Sequence, residues 1–306
     1  MSPTIIRRLS LANVIVNVAI VITGGTVRLT GSGLGCPSWP NCQPGAFHVT
    51  PEMGIHGYIE WGNRLFGVIV AIVAVATLFA VLRAKPRRKD LVTYATLVAV
   101  GVPAQALIGL ITVSTNLNPW VVSTHFLVTV AMVAAAYLGY ARSCEPAVLP
   151  PPTTPPTFGH LLKLLVIASL AAIILGALVT GSGPHAGDPD APRIPLDPTM
   201  LSQVHAHSVL LLIGLTVAAV FAAKALSAPR ATVNAVWLLL AVELAQGAIG
   251  FIQFFTGLPV ILVGAHMLGA ALLWLAVIRV AVVNRRAAAE ADSDRNLPRQ
   301  PAAATA

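Results

Sequence analysis

LFGVIVAIVAVATLFAVL, residues Leu65–Leu82, decides the fold. The run carries no charge and no proline, and its 18 residues span about 27 Å as a helix, close to the hydrocarbon thickness of a bilayer. Its apolar residues cover every side of the helix instead of one stripe, so the surroundings must be apolar too. Polar residues bound it: Glu60, Asn63 and Arg64 before it, and Arg83, Lys85, Arg87, Arg88 and Lys89 after it. The same alternation fills the chain and predicts spans at about 9–27, 58–82, 91–113, 121–141, 161–180, 203–225, 231–255 and 260–283. Only 10% of the 306 residues are charged and 56% are hydrophobic, with a mean hydropathy of +0.81. A soluble domain carries about 25% charged residues. The expected fold class is therefore an all-α integral membrane protein with eight transmembrane helices.

Charge sets the expected orientation. The formal charge of +8 lies between the apolar blocks, which makes it a topology signal and gives no nucleic-acid patch. Basic residues crowd the second loop, the fourth (Arg142, Lys163), the sixth (Lys224, Arg230) and the tail (Arg285, Arg286), whereas loops three and seven have none. Loop five sets Arg193 beside Asp188, Asp190 and Asp197. The positive-inside rule then places both termini in the cytoplasm and the odd-numbered loops outside. Arg7 and Arg8 precede a first apolar run that is longer than a signal-peptide core and lacks an A-x-A site, so this run is read as a retained span.

PAVLPPPTTPP, Pro146–Pro156, cannot be a membrane helix and is expected as a stiff linker. It divides an N-terminal half, 1–145, from a C-terminal half, 159–286, with a linker over 146–158 and a polar tail over 287–306 expected to be disordered. The halves resemble each other. Leu29–Gly33 (LTGSG) closes the first span as Val179–Gly183 (VTGSG) closes the fifth. Gln105–Gly109 (QALIG) recurs as Gln246–Gly250 (QGAIG), and His125 recurs as His266 at the same offset of 141. Matching elements start on matching sides, so two four-helix bundles form a parallel repeat about an axis along the membrane normal.

The histidines are the main chemical clue. His125 opens span four, His266 span eight, and His205 and His207 span six, all at one membrane face, with His56, Glu60, Asn63 and Arg64 at the entry of span two. A lone interfacial histidine ordinarily just binds a loop. A repeat-matched pair on facing helices is the arrangement that gives haem iron two axial imidazoles. His48, His160 and His185 lie in connections and are read as ordinary polar residues. Cys36 and Cys42 flank CPSWPNC, with no second pair nearby for zinc, and are expected to form a disulfide; Cys144 is expected to be free. Glu60 has two readings: an i,i+4 ion pair with Arg64, or a carboxylate that exchanges protons with a substrate. Arg28 and Arg64 either hold haem propionates or anchor the interface. Glu243, mid-span in the seventh helix, has no assigned role.

GGTVRLTGSGLGCPSWPNC (Gly24–Cys42) and IEWGNRLFG (Ile59–Gly67) resemble the haem A synthase family, particularly its actinobacterial members, and the resemblance runs through all eight spans. The resemblance implies an oxidoreductase that converts haem O to haem A by oxidising a ring methyl to a formyl group in successive hydroxylation-like steps. The added oxygen would come from water, and the product would serve cytochrome oxidase assembly. It implies a catalytic N-terminal half with Glu60 as the essential carboxylate and His125 as a ligand. The C-terminal half would hold haem b through His266 and either His205 or His207, with His205 preferred. Haem O, haem A, lipid, and with them haem O synthase and oxidase assembly factors, are the implied partners. One departure stands out: the family's E-x-x-H-R reads EWGNR here, with Asn63 in place of the histidine. Either His125 binds the substrate iron alone, or His56 reaches in from the preceding turn. The competing readings are a di-haem electron-transfer cytochrome without substrate chemistry, which explains neither Asn63 nor Glu60, and a transporter, which needs polar groups nearer the midplane.

Overall fold

The structure is a computed structural model that describes residues 1–148 and 151–295. Among the described residues eight long helices account for the fold: α1 (Pro3–Leu29), α2 (Gly54–Leu82), α3 (Lys89–Ser114), α4 (Pro119–Ser143), α5 (Pro156–Ser182), α6 (Pro198–Ala225), α7 (Arg230–Phe255) and α8 (Val260–Arg295). Each is long and apolar enough to cross a membrane. Among the described residues the β pairing is a single bridge, Gln43 to Ala46, in the first loop. The chain is a multi-pass membrane protein.

Local chemistry starts the helices a few residues outside the apolar blocks. Ser2 accepts from the Ile5 amide at the head of α1, Asn118 from Trp120 at α4, and Asp197 from Thr199 and Met200 at α6. Pro3, Pro119, Pro156 and Pro198 occupy first-turn positions, where a missing N–H costs nothing. Pro103 is accommodated inside α3. The expectation of a disordered tail from 287 meets a helix that continues to Arg295, through an Ala-rich stretch of good helix formers; residues 296–306 lie outside the described residues. The Pro-rich connection ends at α5, and its Thr154 is buried against Asn284 of α8, whose amide Nδ2 donates to the Thr154 hydroxyl at 3.0 Å. Leu149 and Pro150 of that linker lie outside the described residues.

Each half closes on itself: α1 packs on α2 and α4, α2 on α3, and α3 on α4, with the same cycle in α5–α8. The halves meet through α1 on α8, α5 on α4, and α4 on α8, which is the set a two-fold repeat demands. The α3–α4 and α7–α8 turns repeat in detail. Asn116 and Leu117 adopt left-handed φ of 49° and 59°, and Gly257 and Leu258 adopt 78° and 60°. The Leu117 amide donates to Thr112 and the Leu258 amide to Gln253, again at the offset of 141. Within lipid, helices associate through close packing at small residues. A Cβ on Gly25 would lie 3.1 Å from Met267 Cε, and one on Gly264 would lie 3.4 Å from Leu29 Cδ1. Trp274 Nε1 on α8 donates to the Val130 carbonyl on α4 at 3.0 Å.

The start of α1 and the far end of α8 lie at one end of the bundle, the terminal end, and the first loop lies at the other, the disulfide end. At the terminal end Asp90 on α3 pairs with Arg88 and Arg142, each at 2.7 Å. Glu145, its side chain 1% exposed, pairs with Arg142 at 2.6 Å and with Arg286 on α8 at 2.7 Å. This network joins α3, α4 and α8 across the two halves.

Candidate functional site

The C-terminal half brings His205 of α6 and His266 of α8 together, with ring centroids 6.4 Å apart and planes nearly perpendicular at 86°. An imidazole nitrogen stands about 2.0–2.1 Å from a bound metal with its ring centre about 1.1 Å behind, so two axial rings on one ion put their centroids about 6.3 Å apart. The spacing fits an iron between them. The Nδ1 of His205 lies 3.0 Å from the Ala172 carbonyl. A carbonyl can only accept, so Nδ1 carries the proton and Nε2 keeps its lone pair, as a ligating imidazole requires. The His266 carbonyl accepts from Gln246 Nε2 at 2.9 Å, while the ring's Nδ1 is buried without a partner. Glycines make room for both rings: a Cβ on Gly176 would lie 3.2 Å from His205 Cε1, and one on Gly250 would lie 3.3 Å from His266 Cε1. His207, two residues on, is exposed. Of the two candidates left open above, His205 is the one that faces His266.

The N-terminal half repeats this scaffold with one change. Gln105 Nε2 donates to the His125 carbonyl at 3.0 Å and to Thr129 Oγ1 at 2.5 Å. Gly109 lies beside the His125 ring, whose Nδ1 is buried and unpartnered. On α2, the position that answers His205 on α6 is Asn63. Each side chain bonds to the helix before it: His205 to Ala172, and Asn63 through Oδ1 to the Thr23 hydroxyl at 2.7 Å. Thr23 and Ala172 are one residue apart in the repeat register. His56 does not supply the missing ring. It is exposed, and its Nδ1 bonds Ser32 Oγ at 2.9 Å. His48 and His160 are exposed, and His185 bonds the Leu258 carbonyl.

One turn above Asn63, Glu60 is buried beneath the first loop. Its Oε2 accepts from the Cys36 amide at 2.6 Å, and its Oε1 accepts from Arg64 Nη2 at 2.5 Å and Nε at 3.2 Å. Arg64 also donates to the carbonyls of Cys36 (3.1 Å), Ser38 (2.8 Å), Pro40 and Asn41 (3.3 Å). The i,i+4 pair is thus present, and it doubles as the staple of the loop. With its nitrogens committed to Glu60 and to these carbonyls, Arg64 has no free donor for a propionate in this conformation. Cys36 and Cys42 form the disulfide, with Cα atoms 4.4 Å apart, and pack against Val49. Cys144 is free and exposed. Arg28 crosses between the halves: Nε donates to the His185 carbonyl at 2.6 Å and Nη2 to Thr180 at 2.7 Å. These two bonds tie the end of α1 to the C-terminal half.

Several working residues escaped the reading of the sequence. Gln105 and Gln246 served there only as repeat markers, yet they hold the two histidine-bearing turns; their sharing the histidines' offset of 141 was the available signal. Nothing in the sequence marked Thr23, and Ser32 stood out there only within the LTGSG repeat. Glu243 is fully buried and accepts from Thr216 Oγ1 at 2.8 Å.

Residues 7–187 match the family model COX15-CtaA, cytochrome oxidase assembly protein. The chain belongs to this family. Among curated relatives, "Heme A synthase" of Geobacillus kaustophilus is 33% identical over 39% of this chain and 37% of its own length. "Heme A synthase" of Bacillus pumilus is 30% identical over 44% of this chain and 43% of its own. A "Protoheme IX farnesyltransferase" of Haloquadratum walsbyi is 37% identical over 29% of this chain and 18% of its own. The chain thus spans less than half the length of these curated relatives in each match. Membership of this family agrees with the resemblance carried by Gly24–Cys42.

Proposed function

We propose that the chain is a haem A synthase, an oxidoreductase that takes haem O in its N-terminal half and oxidises one ring methyl to a formyl group. The carrying observation is the asymmetry of the two repeats. One half pairs His205 with His266; the other offers His125 alone, with a buried carboxylate, Glu60, one turn above the vacant ligand position. His205 and His266 would hold a haem b cofactor, which would supply a centre able to accept the electrons. His125 orients the substrate through its metal. Oxidising a methyl group releases protons with the electrons, and Glu60 is the group within the N-terminal half that receives them. Its hydrogen bonds from Cys36 and Arg64 hold the carboxylate at a fixed place under the disulfide loop. Arg28, with its Nη1 free, suits a propionate better than Arg64 does.

The distribution of Lys and Arg supports a cytoplasmic terminal end and an outward-facing disulfide end. The two halves, 1–145 and 159–286, divide as catalytic and cofactor units. Haem O synthase and oxidase assembly factors are the partners this chemistry calls for, one to supply the substrate and the others to receive the product.

The test is pigment extraction from protein expressed with and without a haem O supply, resolved by chromatography. Haem b in both cases, with haem A or a hydroxylated haem O only when haem O is supplied, is the expected result. Haem b alone in both would favour an electron-transfer cytochrome, and no haem at all would sink both readings. Glu60→Gln should keep the haem b spectrum and stop haem A formation; normal haem A yield would remove Glu60 from the chemistry.

A further inference from the structure

The family pattern and this chain disagree at one position, and the disagreement has chemical content. We infer that the N-terminal half holds its haem iron through one protein imidazole, His125, and leaves the face over Asn63 open to a small ligand, whereas the C-terminal half closes both faces with His205 and His266. The inference rests on the haem-binding reading above and goes beyond it.

Three observations carry it. The repeat places an amide where the other half has an imidazole, and a neutral amide is a poor ligand to haem iron. That amide is tethered: the Thr23 hydroxyl donates to Asn63 Oδ1 at 2.7 Å, which turns the oxygen toward α1 and leaves the Nδ2 hydrogens as donors. An N–H donor does not coordinate a cation, but it does stabilise a small oxygen or nitrogen ligand already seated on one. Finally, no other imidazole replaces the missing one. His56 is exposed and bonded to Ser32, and the remaining N-terminal histidine, His48, is exposed. His125 itself keeps the scaffold of a ligand, with its carbonyl held by Gln105 as that of His266 is held by Gln246. Asn63 is then a positioning residue: it keeps one face of the iron vacant and offers a donor to whatever small molecule, such as water, occupies that face.

The experiment uses the full chain purified in detergent, loaded with excess protohaem as the probe, reduced with dithionite and exposed to carbon monoxide. Two haems per chain are expected, of which roughly half bind carbon monoxide, because a six-coordinate bis-imidazole iron has no free position. Asn63→His should cut the carbon monoxide-reactive fraction by roughly tenfold or more, since a tethered imidazole competes at high effective concentration. It should also add a second low-spin ferric component to the spectrum. His125→Ala should remove the reactive fraction and leave the C-terminal low-spin component, which reports that the protein is folded. Wild-type protein that takes up two haems inert to carbon monoxide, or only one haem in excess, overturns the inference without any variant. An unchanged reactive fraction in a folded Asn63→His protein does the same. Haem A production in cells supplied with haem O, read on the same wild-type chain, separates the two claims. Haem A with inert haems would sink the open face and leave the enzyme, and reactive haems without haem A would sink the enzyme and leave the open face.

Discussion

Replacing Arg64 by methionine should loosen the disulfide loop selectively, and the structure sets the size of the effect. Arg64 gives two bonds to Glu60 and bonds to four loop carbonyls, those of Cys36, Ser38, Pro40 and Asn41. The Glu60 side chain is 7% exposed and that of Arg64 is 16% exposed. Removing one member of a buried pair costs about 3–5 kcal/mol, because the other charge is left uncompensated. Partial access of water to the guanidinium puts this case at the low end, about 3 kcal/mol, and each 1.4 kcal/mol is tenfold in an equilibrium. The population of loop-open molecules should therefore rise by about two orders of magnitude. Amide hydrogen exchange in detergent, read by mass spectrometry over residues 36–42, measures this directly, because the Cys36 amide is itself bonded to Glu60 at 2.6 Å. Exchange there should accelerate about a hundredfold while peptides of α5–α8 stay at wild-type rates. Arg64→Lys should recover a part, since one ammonium can meet Glu60 but cannot also fork to the carbonyls. Loop exchange within about threefold of wild type in the methionine variant would refute the reasoning, and the loop would then be held by the disulfide and its packing alone.

Two further outcomes follow from other contacts. Gly250→Val should displace His266, since even a Cβ there lies 3.3 Å from its Cε1; haem content of the C-terminal half, measured as the low-spin component, should fall roughly tenfold, and unchanged content would show that the ring does not need this space. Glu145→Gln should lower stability by about 2–3 kcal/mol by weakening charged bonds to Arg142 and Arg286. Thermal unfolding in detergent checks it, with Asp90→Asn, on the more exposed arm of the same network, expected to cost less.

The eight spans were legible because a bilayer demands long uncharged helices and the sequence has eight such blocks. Their ends were less so. Helix α1 begins at Pro3, not near residue 9, because a Ser2 cap and a first-turn proline extend it past the hydrophobic block that hydropathy detects. The continuation of α8 beyond 286 was missed for the same reason: polarity argued against a membrane span, and Ala-rich helix propensity was not weighed against it. The parallel repeat was visible in side chains that recur at one offset, and the backbone of the α3–α4 and α7–α8 turns obeys that offset too.

The sequence by itself determined the class of protein, its division into two related halves, and the short list of groups able to meet a metal, because these depend on composition and on periodicity along the chain. It could not choose between His205 and His207. Two residues apart on a helix they point about 200° away from each other, and only the packing of α6 against α5 and α8 turns one ring to its partner and the other outward. Nor could it decide whether Arg64 served a ligand or a loop, or that Arg28 would bind carbonyls more than 150 residues away. Such assignments depend on which backbone carbonyls the fold brings within reach of a donor, and that distance exists only once the helices have packed.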